Sequence, residues 1–252
     1  NFYVHVVVMS FLSMIGLTAV YKTFRVFFEN RKRELIFAVF LLPSTLLWTS
    51  GVLKEGLLIF FLGLFIYHFF GLFQNEFQWR KVLLVLMLFY FILTCKYFVC
   101  VALLPGIIAY TWIKLSGTKK ILAKYLLTFA SILLLISIAG QLFPSYSPLE
   151  VLSNKRDEGI KSALIAGARN ILFIDPLKPD MISYLKKIPE ALSNTLVRPY
   201  FTEIHSSPVI LMSVAENIFL LLLFTLCIIQ VDRKMLVSTE TLFLFSYASI
   251  CL

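Results

Sequence analysis

Charge is scarce in this sequence. Of 252 residues only 15% are charged and 60% are apolar, whereas a soluble domain is about a quarter charged and nearly half apolar. The apolar residues also come in long runs, the mark of segments that lie in a bilayer. Together these exclude a soluble globular domain. Acid is the scarcer sign: 14 Asp and Glu stand against 23 Lys and Arg, a formal net charge of +9. In a soluble protein that excess suits nucleic acid. Here the basic residues sit in short clusters between apolar runs, so membrane topology accounts for them and no nucleic-acid partner is expected.

Cysteine and histidine are also few. Cys95, Cys100, Cys227 and Cys251 all lie in or beside apolar runs, which leaves neither a disulfide framework nor a zinc pattern. His5 and His68 are single histidines within apolar runs, read as packed or interfacial. Nothing supplies a metal-ligand set, so no metal is expected, and no cofactor is marked. No Gly-rich phosphate loop and no Gly-x-Ser-x-Gly elbow occurs, which argues against cytoplasmic ATP-driven chemistry and serine hydrolysis. There is no internal repeat and no low-complexity tract. The first apolar run lacks a basic leader and a small-residue cleavage site, so it does not read as a signal peptide. The start at Asn1-Phe2 without Met reads as the interior of a longer chain.

What is present is a series of apolar segments. The expected fold is all-α, a polytopic transmembrane helix bundle of about eight membrane segments, near 2–21, 35–50, 56–73, 82–95, 97–113, 121–143, 208–230 and 237–252. Residues 1–143 would carry the first six, 144–207 an exterior loop, and 208–252 the last two. The stretch 82–113 reads either as two short helices turning at Cys95-Lys96 or as one long helix with Lys96 buried. Two are preferred, because a lone lysine costs about 3 kcal/mol at the centre of a membrane helix.

Orientation follows from the short loops. Lys22, Arg25, Arg31, Lys32 and Arg33 form one basic cluster, Arg80 and Lys81 a second, Lys114, Lys119, Lys120 and Lys124 a third, and Arg233 and Lys234 a fourth. They occur at every second loop, which assigns them to the cytoplasmic side. The opposite short loops hold only Lys54 and Lys96. The long segment 144–207 then falls outside, in the periplasm if the membrane is a bacterial inner membrane. Within it, Ser147-Pro148-Leu149-Glu150 reads as a helix start with Ser as N-cap, Pro at N1 and Glu closing a capping box. Its Leu149, Leu152, Ile160 and Leu164 form one apolar face, and Arg156, Asp157 and Glu158 read as a solvated face. A second helical stretch over 180–197, interrupted at Pro189, places Met181, Leu185, Ile188, Leu192 and Leu196 at helical spacing. That pattern suits a helix lying on a membrane surface.

The chemistry-bearing residues collect at the outer end. In Pro43-Ser44-Thr45-Leu46-Leu47-Trp48-Thr49-Ser50-Gly51-Val52-Leu53-Lys54-Glu55, Ser50 is placed to cap the third segment, whose free N–H groups and dipole favour an anion. Lys54 falls in the first turn, where the dipole disfavours a cation unless a phosphate or carboxylate joins it. The plainer alternative is that Lys54 pairs with Glu55 or snorkels to a headgroup. Pro43 removes a helix hydrogen bond and reads as a packing kink, with Ser44 or Thr45 compensating. Lys96, at the next outer turn, either contacts the same anion or is an ordinary loop lysine. Glu216 lies roughly 12 Å into the seventh segment at 1.5 Å per residue. An intramembrane carboxylate is a functional candidate by default, the alternative being a structural pair with a lysine or with Asn217. Arg198, Glu203 and His205 cluster at the outer boundary, as an interfacial anchor or as a phosphate clamp with a base.

The order Pro43-Ser44 … Trp48-Thr49-Ser50-Gly51 … Lys54-Glu55 resembles a Pro-Ser … Trp-Ser-Ser-Gly … Lys-Glu pattern of bacterial polytopic sugar-transfer proteins of the C-type glycosyltransferase fold and related exopolysaccharide membrane proteins. The later Lys155-Arg156 … Pro189-Glu190-Ala191-Leu192 … Asn194-Thr195-Leu196 … Arg198-Pro199 … Glu216-Asn217 order is similar to relatives of that group. The resemblance implies a transferase that takes a sugar from a polyprenyl-phosphate carrier at the outer face of the inner membrane, with membrane lipid and the lipid-linked sugar as its partners. It implies a donor-phosphate role for Lys54 with the helix start at Ser50, then for Lys96 or Arg198. The catalytic base of such enzymes is an acid in the first exterior loop, which here would precede Asn1. Within the chain Glu55, Glu216, Glu203 and His205 are the candidates. A polysaccharide polymerase or ligase, which joins two lipid-linked glycans, is the alternative enzyme. A transporter or non-catalytic membrane-complex subunit is the alternative outside catalysis.

Overall fold

The computed structural model describes residues 1–28, 30–74, 78–142, 148–165, 181–196, 198, 208–230 and 238–251. Among them every regular element is helical and no strand occurs. The elements are α1 (Phe2–Phe27), α2 (Lys32–Ile36), a π turn (Phe37–Leu41), α3 (Pro43–Thr49), α4 (Lys54–Leu72), α5 (Trp79–Cys95), α6 (Tyr97–Ser116), α7 (Ile121–Leu142), α8 (Pro148–Ile165), α9 (Met181–Leu196), α10 (Pro208–Gln230) and α11 (Thr239–Cys251).

Among the described residues four helices are long and apolar enough to cross a membrane: α1, α4, α6 and α7 over Ile121–Ile138. The expected count of about eight is not reached, for local reasons. The stretch expected at 35–50 is not one helix. Its α2 has five residues and the π turn five; Leu42 is then extended (φ −65°, ψ 129°) and Pro43 opens the seven-residue α3. Proline lacks an N–H and suits the first helical position, so it starts a helix here instead of continuing one. Helix α5 has 17 residues, roughly 26 Å at 1.5 Å per residue against about 30 Å of hydrocarbon. The apolar part of α10 is Ile210–Leu226, and α11 has 13 residues. The break at Lys96 is present: its extended backbone (φ −151°, ψ 93°) separates α5 from α6.

Packing sets the direction of each element. Ser13 lies against Gly56 and Phe27 against Phe70, so α1 and α4 run parallel. They cross where Gly16 meets Gly63. A Cβ on Gly16 would stand 2.6 Å from the Phe60 Cα, and one on Gly63 2.8 Å from the Gly16 Cα. Only a residue without a side chain permits that approach, the small-residue contact that membrane helices use. Between them the chain returns along α1 through α2, the π turn and α3: Tyr21 meets Phe40 at 5.9 Å, and Ser13 bonds Thr49. Helix α5 runs back along α4, with Phe61 stacked on Phe91 at 4.8 Å. Phe69, Phe70, Tyr110 and Phe243 join α4, α6 and α11 in one aromatic cluster. Helix α11 runs antiparallel to α6: Ser246 and Phe243 cover Gly106, and Lys114 pairs with Glu240 at 3.6 Å. Tyr125 of α7 donates to the Thr239 carbonyl at 3.0 Å. Gly117 makes the α6–α7 turn at φ +87°, and Lys124 fastens that turn by donating to Gly117 O at 2.6 Å.

Lys22, Lys81 and Lys114 gather at one end. Lys22 and Lys81 line one groove, and Lys114 pairs with Glu240, which lines another groove with Phe27 and Phe28. Lys54 begins α4 at the opposite end, beside Lys96 on Glu55. Arg233 and Lys234 lie outside the described residues. At the basic end exposed Glu34 is held below the usual carboxylate range, first by a backbone N–H and then by Arg31 at 3.3 Å. Helix α8 starts at Pro148 as its sequence predicts, and α9 runs through Pro189 without interruption. Ile188, Leu192 and Leu196 form an exposed apolar stripe along α9. Ser147 and 166–180 lie outside the described residues.

Candidate functional site

The short helix α3 is held at both ends. Its N-cap, Leu42, offers no side-chain acceptor, so its first N–H groups need a partner from elsewhere. Glu216 of α10 supplies it. The Ser44 N–H donates to Glu216 Oε2 at 2.8 Å, and Ser44 Oγ donates to Glu216 Oε1 at 2.6 Å. A carboxylate at a helix N-terminus is favoured by the dipole and makes the stronger, charge-assisted bonds. Glu216 is buried, at 8% exposure, so both its oxygens are engaged away from bulk water. The next residue, Asn217, donates to the Arg198 carbonyl at 2.7 Å, which ties Arg198 to α10.

At the other end α3 leaves unpaired carbonyls, and two serines of α1 satisfy them. Ser13 Oγ stands 2.9 Å from Thr49 O, and Ser10 Oγ donates to Ser50 O at 3.1 Å. Both serines sit in the apolar face of a membrane-length helix, spaced i and i+3, so they address one side. That spacing is the signal by which the sequence marks them, though it does not say what they hold.

Ser50 does not cap α4. It closes α3, with its N–H on Leu46 O at 3.1 Å and its hydroxyl toward Leu47 O at 3.4 Å. The chain then needs Gly51 to Leu53 to turn, and α4 begins at Lys54 with Leu53 as an N-cap that contributes no side-chain bond. Lys54 is thus in the first turn as expected. Glu55 is not its partner: Glu55 Oε1 accepts from Lys96 Nζ at 2.7 Å, with both side chains a little over a quarter exposed. Lys96 also lies 5.7 Å from the Phe98 ring centroid, within cation–π range. Among the described residues Lys54 has no carboxylate within ion-pair distance. It is exposed, and so are Leu47, Trp48, Val52 and Leu53 around the same turn.

The structure therefore sorts the expected site residues. Ser50, Lys54, Glu55 and Lys96 come together at one turn. Glu216 and the Arg198 backbone meet at the far end of α3, through Ser44 and Asn217. Glu203 and His205 lie outside the described residues. Among the described residues no group of three or more His, Cys, Asp or Glu is placed to hold a metal ion. Chemically, the turn offers an exposed ammonium group on an apolar surface, at a helix N-terminus whose first-turn acid, Glu55, is bonded by its own backbone N–H and by Lys96. Glu216, held by two donors and buried, serves as the anchor of α3. No family model, no curated protein and no solved structure matches the chain.

Proposed function

We propose that this is a polytopic membrane protein that binds a polyprenyl-phosphate-linked sugar at the Lys54 turn and transfers the sugar there, as a glycosyltransferase of the inner membrane. The observation that carries this reading is Lys54 itself. Its neighbouring acid is taken by Lys96 at 2.7 Å, and its helix begins without a side-chain cap. A cation set against the positive end of a helix dipole is unfavourable alone and favourable once a phosphate joins both. The apolar surroundings suit a ligand whose phosphate sits on a long hydrocarbon. The gathering of Lys22, Lys81 and Lys114 at the opposite end supports assigning the Lys54 turn to the periplasmic face. In this reading Lys54 and the first N–H groups of α4 hold the donor phosphate. Glu216 and the Ser10–Ser13 pair position the turn. Glu55 is engaged by Lys96, so the base that activates the acceptor hydroxyl is sought in Glu203, His205 or another acid of the exterior segment.

The test is thermal unfolding of the purified protein with and without polyprenyl phosphate, in the native form and as Lys54→Ala and Lys54→Arg. A ligand at a hundredfold its Kd stabilises by about 2.7 kcal/mol. That is a rise of roughly 5–10 °C for a chain of this size. The native form and Lys54→Arg should show it and Lys54→Ala should lose most of it. Equal stabilisation of all three removes Lys54 from the site, and no stabilisation of any form moves the assignment to a transporter or complex subunit.

A further inference from the structure

Along the seam of α1 and α4 runs a groove that the Lys54 turn does not use. One part, about 360 Å³, is lined mostly by apolar side chains such as Phe11, Met14 and Leu64, with Thr18 and Tyr67 among them and Lys22 and His68 at its end. A second part, about 250 Å³, is lined by Lys22, His68 and Lys81. Lys22 and His68 line both parts, so the two are continuous. The α1 wall repeats at helical spacing from Phe11 to Lys22, roughly 16 Å at 1.5 Å per residue. That is about half of a 30 Å hydrocarbon core, the depth of one leaflet. The groove is thus apolar for one leaflet's depth and ends in two ammonium groups and an imidazole. No carboxylate among the described residues lines either part.

We infer that this groove binds one anionic phospholipid from the leaflet on the Lys22 side. An acyl chain would lie along Phe11, Met14 and Leu64, with the phosphodiester between Lys22 and Lys81 and within reach of His68. Bulk lipid would cover the apolar part whatever its headgroup. The polar end is what selects: a zwitterionic headgroup brings an ammonium that meets no carboxylate there, whereas a phosphatidylglycerol headgroup leaves its negative charge to the lysines. The polar end of the groove lies opposite Lys54, and the inference does not rest on the proposed sugar-donor site.

Native mass spectrometry of the intact protein with equimolar phosphatidylglycerol and phosphatidylcholine tests this. Retained phosphatidylglycerol should exceed phosphatidylcholine at least tenfold. Lys22→Gln and Lys81→Gln should each weaken phosphatidylglycerol binding about fivefold, the usual effect of one basic side chain near an anionic lipid surface. The double variant should approach parity, while Lys119→Gln, an exposed lysine of the α6–α7 turn outside the groove, leaves the preference unchanged. A photoactivatable acyl chain on phosphatidylglycerol should label the peptides containing Phe11–Met14 and Leu64. No preference in the native protein, a preference that survives the double variant, or labelling confined to other helices would each overturn the inference. Full displacement by millimolar inorganic phosphate would also overturn it, because the polar end would then be an anion site without a lipid chain.

Discussion

The clearest quantitative consequence concerns Glu216. Glu216→Ala removes the acceptor of two bonds, Ser44 N–H at 2.8 Å and Ser44 Oγ at 2.6 Å. In soluble proteins a hydrogen bond to a charged group contributes about 1.5–3 kcal/mol, while bonds between membrane helices average about 0.6 and reach about 1.7 kcal/mol. The charge and the burial of Glu216 put these bonds at the upper end of the second range. The exposed Ser44 hydroxyl finds another partner once released, whereas its N–H at the start of α3 does not. The expected loss for Glu216→Ala is therefore about 2–3 kcal/mol, or roughly 5–10 °C in Tm. Glu216→Gln keeps an oxygen for the N–H and offers an amide donor to the Ser44 hydroxyl, so it should lose only about 1 kcal/mol, mostly the charge–dipole part. Ser44→Ala removes the hydroxyl bond alone, at about 1 kcal/mol. Because both substitutions break that same bond, the Glu216→Ala/Ser44→Ala double variant should show a coupling of about 1 kcal/mol. Trp48 lies within α3, so its fluorescence in a Trp79→Phe/Trp112→Phe background reads the melting of this element. Additivity within about 0.3 kcal/mol would refute the anchoring role.

Further outcomes follow from the same geometry. Lys54→Ala, which removes no intramolecular ion pair, should leave the Tm of the unliganded protein within about 1 °C of native, as differential scanning fluorimetry would show. Lys96→Met strands the half-buried Glu55 and should cost about 1–2 kcal/mol, most of it recovered in Lys96→Met/Glu55→Gln, a contrast read by the same melts. Gly63→Val drives a side chain into the α1 backbone and should cost at least about 2 kcal/mol. Gly71→Ala, with nothing within 4 Å of its Cβ position, should gain up to about 1 kcal/mol. With Cys227 and Cys251 replaced by Ser, an impermeant maleimide added outside intact cells should label half-buried Cys95 well before buried Cys100, and only if the Lys96 turn faces outward.

The helical class and the break at Lys96 were legible because each has a local physical cause: runs of apolar residues, and a charge that hydrocarbon will not hold. The interruption at 37–42 was less so. Phe37 to Leu41 is as apolar as a crossing helix, and only Pro43 marks the place where the ladder fails. Ser50 shows a different limit. A serine between two helical stretches can end the first or cap the second, and its sequence context fits both. What decides is that Ser10 and Ser13 bind the carbonyls of residues 49 and 50, a long-range contact with no local sign. The same holds for Glu55. The nearest cation in sequence is Lys54, but the chain folds so that Lys96 reaches it, because the α5–α6 turn returns to the start of α4.

These long-range contacts change what the short motif means. Of Ser44, Ser50, Lys54, Glu55 and the distant Glu216, four are engaged in holding α3 or the start of α4. Glu216 fixes the N-terminus of α3, Ser10 and Ser13 fix its carbonyl end, and the Glu55–Lys96 pair fixes the first turn of α4 against α6. Lys54 alone in this set has no partner among the described residues. Residues that hold a turn affect stability when changed, and a residue the turn merely presents affects what binds to it. The contrast between a destabilised Glu216→Ala and a stable but ligand-insensitive Lys54→Ala therefore separates the scaffold from the site. If Lys54→Ala instead melts as early as Glu216→Ala, Lys54 belongs to the scaffold, and the anion site must be sought beyond Leu196, in the segment that carries Arg198, Glu203 and His205.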